Sequence, residues 1–415
     1  MKLNLYLFNA TDSAATYGIG TYLRELPQTL TGTDMKVHIV HLHSVRPEFE
    51  IVKTNQVENW FVPEVRGENT FSGEIQKLEN YYRNVIYLLR LYIKDTEGLV
   101  FHFNFNHSYY LAKGLKSVFD CQTVCTVHLI KWALELQGNL THLRALKVKS
   151  EDQRSPYEQI LLDTDEYERM LYEEVDRVIA LSHYTVNILL TEYHLDREKI
   201  SVIPNGLADV DFQTLGSKDL LRKKRHVSEK ELLILFVGRL HTVKGLMYLL
   251  MAFRKVLEVI PDCRLIIAGN GTFERYMSVC ADICTHVTWT GLLDKNNLSE
   301  FYSIADIGVM PSLHEQCSYV AIEMMRHSLP IIGSTSTGLK EMIDEGETGL
   351  HIPVTEHENR VEIDMSLLAD KMLFLLQNPI ERQRMGQNAR KRYEEYYSKE
   401  KFRENMLHFY HSRCM

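Results

Sequence analysis

Leu232-Leu233-Ile234-Leu235-Phe236-Val237, followed by Gly238-Arg239-Leu240-His241-Thr242-Val243-Lys244-Gly245, reads as a buried strand, a turn carrying two cations and the start of a helix. An unbroken apolar run of this kind belongs in a parallel sheet covered on both faces. A turn leaving its carboxyl end is where such sheets bind ligands. Arginine offers a fixed fork of donors and lysine a compact charge, so with the N–H groups of the following helix Arg239 and Lys244 can neutralise a diphosphate. Taken alone, the two cations could equally pair with surface acids.

A second stretch sharpens the reading. Ile307 to Met310 is a short apolar run ending at Pro311, and Ser312-Leu313-His314-Glu315-Gln316-Cys317-Ser318 leads into Tyr319 to Met325, which has helical periodicity. Glu315 falls in the turn and Glu323, eight residues on, in the first turns of the helix. Carboxylates accept from hydroxyls while helix N–H groups attract phosphate, a combination suited to a sugar nucleotide. A solvated turn glutamate and a helix-surface glutamate would look the same in isolation, but the joint pattern is harder to obtain by chance.

Outward from these two stretches the chain alternates strands and helices throughout. Leu3 to Phe8, Val37 to Leu42, Leu99 to Phe103, Val124 to His128 and Arg177 to Leu181 are expected strands of one domain. Leu232 to Val237, Arg264 to Ala268, Val287 to Thr290, Ile307 to Met310 and Ile331 to Ile332 are those of a second. Pro204-Asn205-Gly206 punctuates the end of the first series, placing the boundary near residues 206–215. The 415 residues suit two domains, and 45% apolar with 25% charged residues is an ordinary globular composition. A net charge of −8 and a pI near 6.1 argue against a nucleic-acid binder. The one dense basic run, Arg222-Lys223-Lys224-Arg225, reads as a solvated linker helix in preference to a peripheral membrane contact. No signal peptide or membrane-spanning run is visible, so a cytoplasmic protein is expected, with any association at the inner membrane face peripheral. The seven cysteines lack metal-site spacing and read as buried free thiols. Tyr81, Tyr82 and Tyr87, on a helix expected over 74–94, read as packing against the sheet. Asp163-Thr164-Asp165 lies in a helical, acid-rich stretch and is discounted as a metal signature.

The ordered series Tyr17-Gly18-Ile19-Gly20-Thr21-Tyr22, Thr126-Val127-His128, Leu181-Ser182, Pro204-Asn205-Gly206, Val237-Gly238-Arg239 with Lys244-Gly245, Ala268-Gly269-Asn270-Gly271, Ile304-Ala305-Asp306 and the Glu315/Glu323 pair resembles glycosyltransferase family 4. The resemblance covers nearly the whole chain. It implies an α/β GT-B fold, two Rossmann-like doubly wound domains facing across a cleft. Residues 1–207 would form an acceptor-binding domain, 208–380 a nucleotide-sugar-binding domain, and 381–415 a C-terminal helix crossing back to the N-terminal domain. It further implies a retaining transferase moving a hexose from a nucleotide-diphosphate sugar to an acceptor hydroxyl of a glycan, lipid or small molecule. By the same resemblance His128, Arg239, Lys244 and Glu315 act in catalysis. Donor contacts come from Gly18, Gly20, Arg239, Lys244, Gly291, Leu292, Glu315, Ser318, Tyr319, Glu323, Thr337, Gly338 and Leu339. Glu323 looks like the ribose ligand and Glu315 the contact to the transferred sugar. No metal and no cofactor beyond the nucleotide-sugar co-substrate is implied, UDP being favoured over GDP on family frequency.

Three departures bear on the donor. Leu129 follows His128 where many members have Asp, Cys317-Ser318 replaces an aromatic-Gly pair, and Ser336-Thr337-Gly338 stands where Gly-Gly is common. Alternative readings are a transferase acting on a peptide or protein, since Ala10 to Tyr22 distantly resembles transferases of bacterial peptide-modification systems, a GT-B epimerase, and a catalytically silent homologue serving as a binding subunit. The last has no reason to keep Arg239, Lys244, Glu315 and Glu323 together. The nucleobase, sugar, acceptor and oligomeric state are not legible in the sequence.

Overall fold

A computed structural model of the chain describes residues 3–10, 18–54, 57–64 and 74–412. It divides into two compact units. One comprises Met1–Lys131, Ser150–Pro204 and Arg403–Met415, the other Trp132–Lys149 and Asn205–Phe402. Relative to the 1–207, 208–380 and 381–415 division read from the sequence, Trp132–Lys149 counts with the second unit, and the tail expected to cross back joins the first unit only from Arg403 onward, residues 381–402 staying with the second. A reading that cuts the chain into consecutive pieces has no means of seeing the Trp132–Lys149 exchange.

The first unit is built on eight strands: β1 (Leu3–Asn9), β2 (Met35–Ser44), β3 (Glu50–Thr54), β4 (Val57–Pro63), β5 (Leu99–Phe103), β6 (Cys121–Val127), β7 (Arg177–Ala180) and β8 (Ile200–Val202). They lie in the order β3-β4-β2-β1-β5-β6-β7-β8, all parallel except the β3–β4 pair. β1 and β5 are fully buried along most of their length, as apolar strands covered on both faces must be. The second unit holds β9 (Leu232–Val237), β10 (Cys263–Ala268), β11 (Val287–Gly291), β12 (Ile307–Met310), β13 (Ile331–Ser334) and β14 (Gly349–Ile352) in the order β11-β10-β9-β12-β13-β14, with a small hairpin of β15 (Val354–Glu356) and β16 (Val361–Ile363). This order reverses direction between β9 and β12, which pair directly through Ile307–Ile234 and Gly308–Leu235. The first sheet has the same reversal between β1 and β5, from Asn4–Leu99 to Phe8–Phe103. Such a switch point opens a crevice at the carboxyl ends of the two strands.

Every strand expected from the sequence is present; β3, β8 and β14 to β16, short or edge elements, were not anticipated, nor was β4, a seven-residue strand paired on both sides. The basic run is a solvated helix face in part only: Lys223 and Lys224 are exposed. Arg222 is buried and donates to the Ile304 carbonyl, 3.0 Å away, beside Asp306, while Lys224 and Arg225 close on Glu300 at 2.6 and 2.8 Å. Asp165 is buried and accepts from Tyr193 Oη at 2.7 Å, a structural role. Tyr81 and Tyr82 are buried as read, but Tyr87 is 61% exposed. Cys284 is exposed too, against the expectation of burial. No described helix is long and apolar enough to cross a membrane.

Candidate functional site

The segments that follow β9 and β12 leave the second sheet side by side. From β9 the chain turns through Gly238 to Gly245 into the helix Leu246–Val259; from β12 it runs through Pro311 to Ser318 into the helix Tyr319–Arg326. Gly245, at φ +68°, has its Cα so close to Pro311 that a Cβ would lie 1.8 Å from the Pro311 carbonyl oxygen. Only glycine permits that approach. Leu313 N–H donates to the Val243 carbonyl at 2.7 Å, completing the join.

The join presents a charge pair. Lys244 Nζ lies 2.5 Å from Glu315 Oε1, with side chains 21% and 11% exposed. Ser312 Oγ donates to the same carboxylate oxygen at 3.0 Å. The Glu315 backbone is held in turn by Thr337, whose hydroxyl accepts from Glu315 N–H at 2.8 Å and donates to the Glu315 carbonyl at 2.5 Å, while Gly338 N–H donates to that carbonyl at 2.8 Å. Thr337 stands at φ +40°, a left-handed conformation that a β-branched residue rarely adopts. Its departure from the family's glycine therefore has a physical role: a glycine would take the backbone angle easily but would bring no hydroxyl to close the Glu315 turn.

The remaining donor candidates fall around this latch or apart from it. Leu339 is buried at the start of the short helix Leu339–Met342. Ser318 and Tyr319 form the cap and first residue of the Glu323 helix. Glu323 accepts from Tyr302 Oη at 2.7 Å, and Tyr302 is fully buried with its hydroxyl pKa pushed well up by burial and by the glutamate, so it stays a donor. Gly291 takes φ +67° at the end of β11 and Leu292 beside it is exposed. Arg239 is exposed on the same turn as Lys244.

In the first unit, Gly18 and Gly20 open the helix Gly18–Thr29 rather than a free turn; Tyr17 and most of the segment Ala10 to Tyr22 lie outside the described residues. His128 follows β6. Its Nε2 is 3.0 Å from Asn104 Oδ1. Asn104 Nδ2 faces the carbonyls of Phe8 and His102, both at 3.4 Å, which orients the amide and leaves its oxygen toward the imidazole. Nε2 therefore carries the hydrogen, and Nδ1 keeps its lone pair. Burial pushes the His128 pKa down to about 3, so the ring is neutral near pH 7. Tyr22 packs edge-on against it, centroids 4.6 Å apart, and His102 beneath bonds Thr126 Oγ1 and Tyr410 Oη, each at 2.7 Å. Glu168 is fully buried, accepts from Asn106 Nδ2 at 2.6 Å and from Lys131 N–H at 3.1 Å, and burial raises its pKa to about 8. Tyr302, Thr337's hydroxyl role, Asn104 and Glu168 escaped the sequence reading. Glu168 and Tyr302 are isolated residues inside helices, with no motif to mark them. Among the described residues no group of three or more His, Cys, Asp or Glu side chains gathers as for a metal ion.

Two parallel-sheet units with matching switch points have the fold of GT-B glycosyltransferases. Residues 16–209 match the model of Glycosyltransferase Family 4 and residues 217–392 that of Glycosyl transferases group 1, and the chain belongs to this family. An uncharacterized glycosyltransferase of Methanocaldococcus jannaschii is 31% identical over 185 residues, 42% of this chain and 46% of that protein. The chain spans about half the length of the curated relatives it matches. Among solved structures, sucrose-phosphate synthase from Thermosynechococcus elongatus aligns at a TM-score of 0.75 and 21% identity over 98% of both chains. The Anabaena HepE structure in complex with UDP and glucose aligns at 0.69 and 13% identity, over 98% of this chain and 99% of that one. These likenesses are of fold.

Proposed function

We propose that the chain is a retaining glycosyltransferase that moves a hexose from a nucleotide-diphosphate sugar to an acceptor hydroxyl, without a metal ion. The observation that carries this is the Lys244–Glu315 pair, held by Ser312 and Thr337 at the β9–β12 switch point. In this reading Lys244 and Arg239 hold the diphosphate and stabilise charge as it leaves, a term that is often the largest in catalysis. Glu315, steered by Ser312, meets the sugar hydroxyls, and Glu323, fixed by Tyr302, accepts from the ribose. Gly338 and Leu339 give their N–H groups to the Glu315 and Ser336 carbonyls, so within this loop the Thr337 backbone is the part assigned to a donor oxygen. His128 is neutral with a fixed tautomer, which suits a polar contact to the donor sugar more than proton transfer. UDP is the first donor nucleotide to try, a choice supported by the HepE complex among the structural relatives.

The test is a thermal-shift panel of UDP-, GDP-, ADP- and dTDP-sugars and their diphosphates, followed by donor hydrolysis and transfer with whichever stabilises the protein. A selective shift, turnover that survives EDTA, and a product whose anomeric proton coupling matches the donor's are the expected results. No shift with any nucleotide, in wild type, overturns the donor assignment; an inverted anomer overturns retention alone.

A further inference from the structure

The segment Trp132–Lys149 begins four residues after His128 and is flanked on both sides by chain of the first unit, yet it belongs to the second. Between its helices Lys131–Glu135 and Leu140–Val148 lies the turn Gly138-Asn139. Gly138 stands at φ +78°, and a Cβ there would meet Thr337 Cγ2 at 2.9 Å, the Leu313 carbonyl at 3.4 Å and His314 Nδ1 at 3.7 Å. The bare backbone of this turn thus lies directly on the residues that close the Glu315 loop. Asn139 is fully buried and anchors it. Its Oδ1 accepts from His142 N–H at 2.8 Å, capping the second helix, while its Nδ2 donates to the carbonyls of His357 and Arg360 at 2.7 and 3.3 Å, in the hairpin between β15 and β16.

We propose that Gly138 and Asn139 are positioning residues for the donor site: the turn presses Thr337 into its left-handed conformation and so keeps Glu315 and Lys244 presented to the donor. The proposal rests on the donor reading above. Two independent features converge on it, the steric seat that only glycine fits and the buried amide that clamps the same turn. Thr337 alone has reason to relax, because its backbone angle is strained; its hydroxyl bonds and the Gly138 backbone together resist that relaxation.

Asn139→Asp separates the clamp from the cap. Aspartate caps a helix as well as asparagine does, but its carboxylate would face two carbonyl oxygens. Wild type, Asn139→Asp, Gly138→Ala and Lys244→Ala are to be titrated calorimetrically with UDP and with GDP, and assayed for donor KM and kcat. Both turn variants should weaken the diphosphate that wild type binds by about ten-fold and raise donor KM in step, with kcat changed far less. An affinity and KM unchanged in both variants overturn the proposal while a Lys244 effect preserves the donor reading; equal binding by wild type and Lys244→Ala, or no binding by wild type, brings down both. Should the turn variants fail to fold, amide hydrogen exchange on wild type decides: UDP must protect residues 132–149 together with 336–339, and protection of 336–339 alone overturns the proposal.

Discussion

The two units both reverse strand order at a switch point, yet the edges there are chemically opposite. At the second unit's switch point stand charges, Lys244 against Glu315 with Arg239 on the same turn, Glu315 being held by the Ser312 and Thr337 hydroxyls. At the first unit's edge the groups are neutral: His128 and His102 with burial-depressed pKa values, the amides of Asn104 and Asn106, and a glutamate whose pKa is raised to about 8. One fold has been given two kinds of edge. Charge suits a site that must meet a diphosphate, whereas neutral, hydrogen-bonded groups suit a site that orients a sugar hydroxyl without binding anions indiscriminately.

The contrast can be broken experimentally. Its largest expected signature is Lys244→Ala, which should cost about 2–4 kcal/mol in kcat/KM; steady-state kinetics giving a smaller loss than His128→Ala would reverse the assignment of charge to the second unit. Next comes the tyrosine behind Glu323. Tyr302→Phe leaves that carboxylate without its buried donor and should weaken nucleotide binding by about 1–2 kcal/mol, but should leave the affinity of a nucleotide lacking ribose hydroxyls little changed, as competition titrations would reveal. A separate signature lies in stability. His102 and His128 titrate lower in the folded chain than when unfolded, so the unfolded state takes up more protons below about pH 6.5 and stability falls with acidification, by at most about 1.4 kcal/mol per pH unit for each ring. Glu168 works the other way, its folded form holding a proton that the unfolded form releases, so its penalty is relieved as pH drops from about 8. Glu168→Gln should therefore make the acid loss steeper in urea titrations at pH 7, 6 and 5.

The second unit's edge was legible because charged residues in fixed spacing after apolar strands leave few interpretations: Arg239, Lys244, Glu315 and Glu323 were all named from their places in strand–turn–helix patterns. The first unit's edge was mostly not legible. His128 could be found as a strand end, but its partner Asn104 comes from the neighbouring strand, β5, and Tyr410 from the far end of the chain, joined only by folding. Thr337 reads from sequence as a donor-loop residue where glycine is common, and nothing in the sequence shows that its hydroxyl holds Glu315. The basic run at Arg222 misled because composition cannot show that Asp306 and Glu300 wait in space to receive it.

The helix Lys399–His411 begins in the second unit and ends in the first, where Tyr410 meets His102 and Arg177 grips the Phe409 carbonyl at 2.5 Å and that of Ser412 at 2.7 Å. During synthesis the first unit therefore cannot close its core when its own strands leave the ribosome. It must wait about two hundred residues for this helix, while the second waits for nothing later than Phe402. The order of birth and the order of completion are reversed, and the early-made half spends translation with a seat open for a helix not yet made.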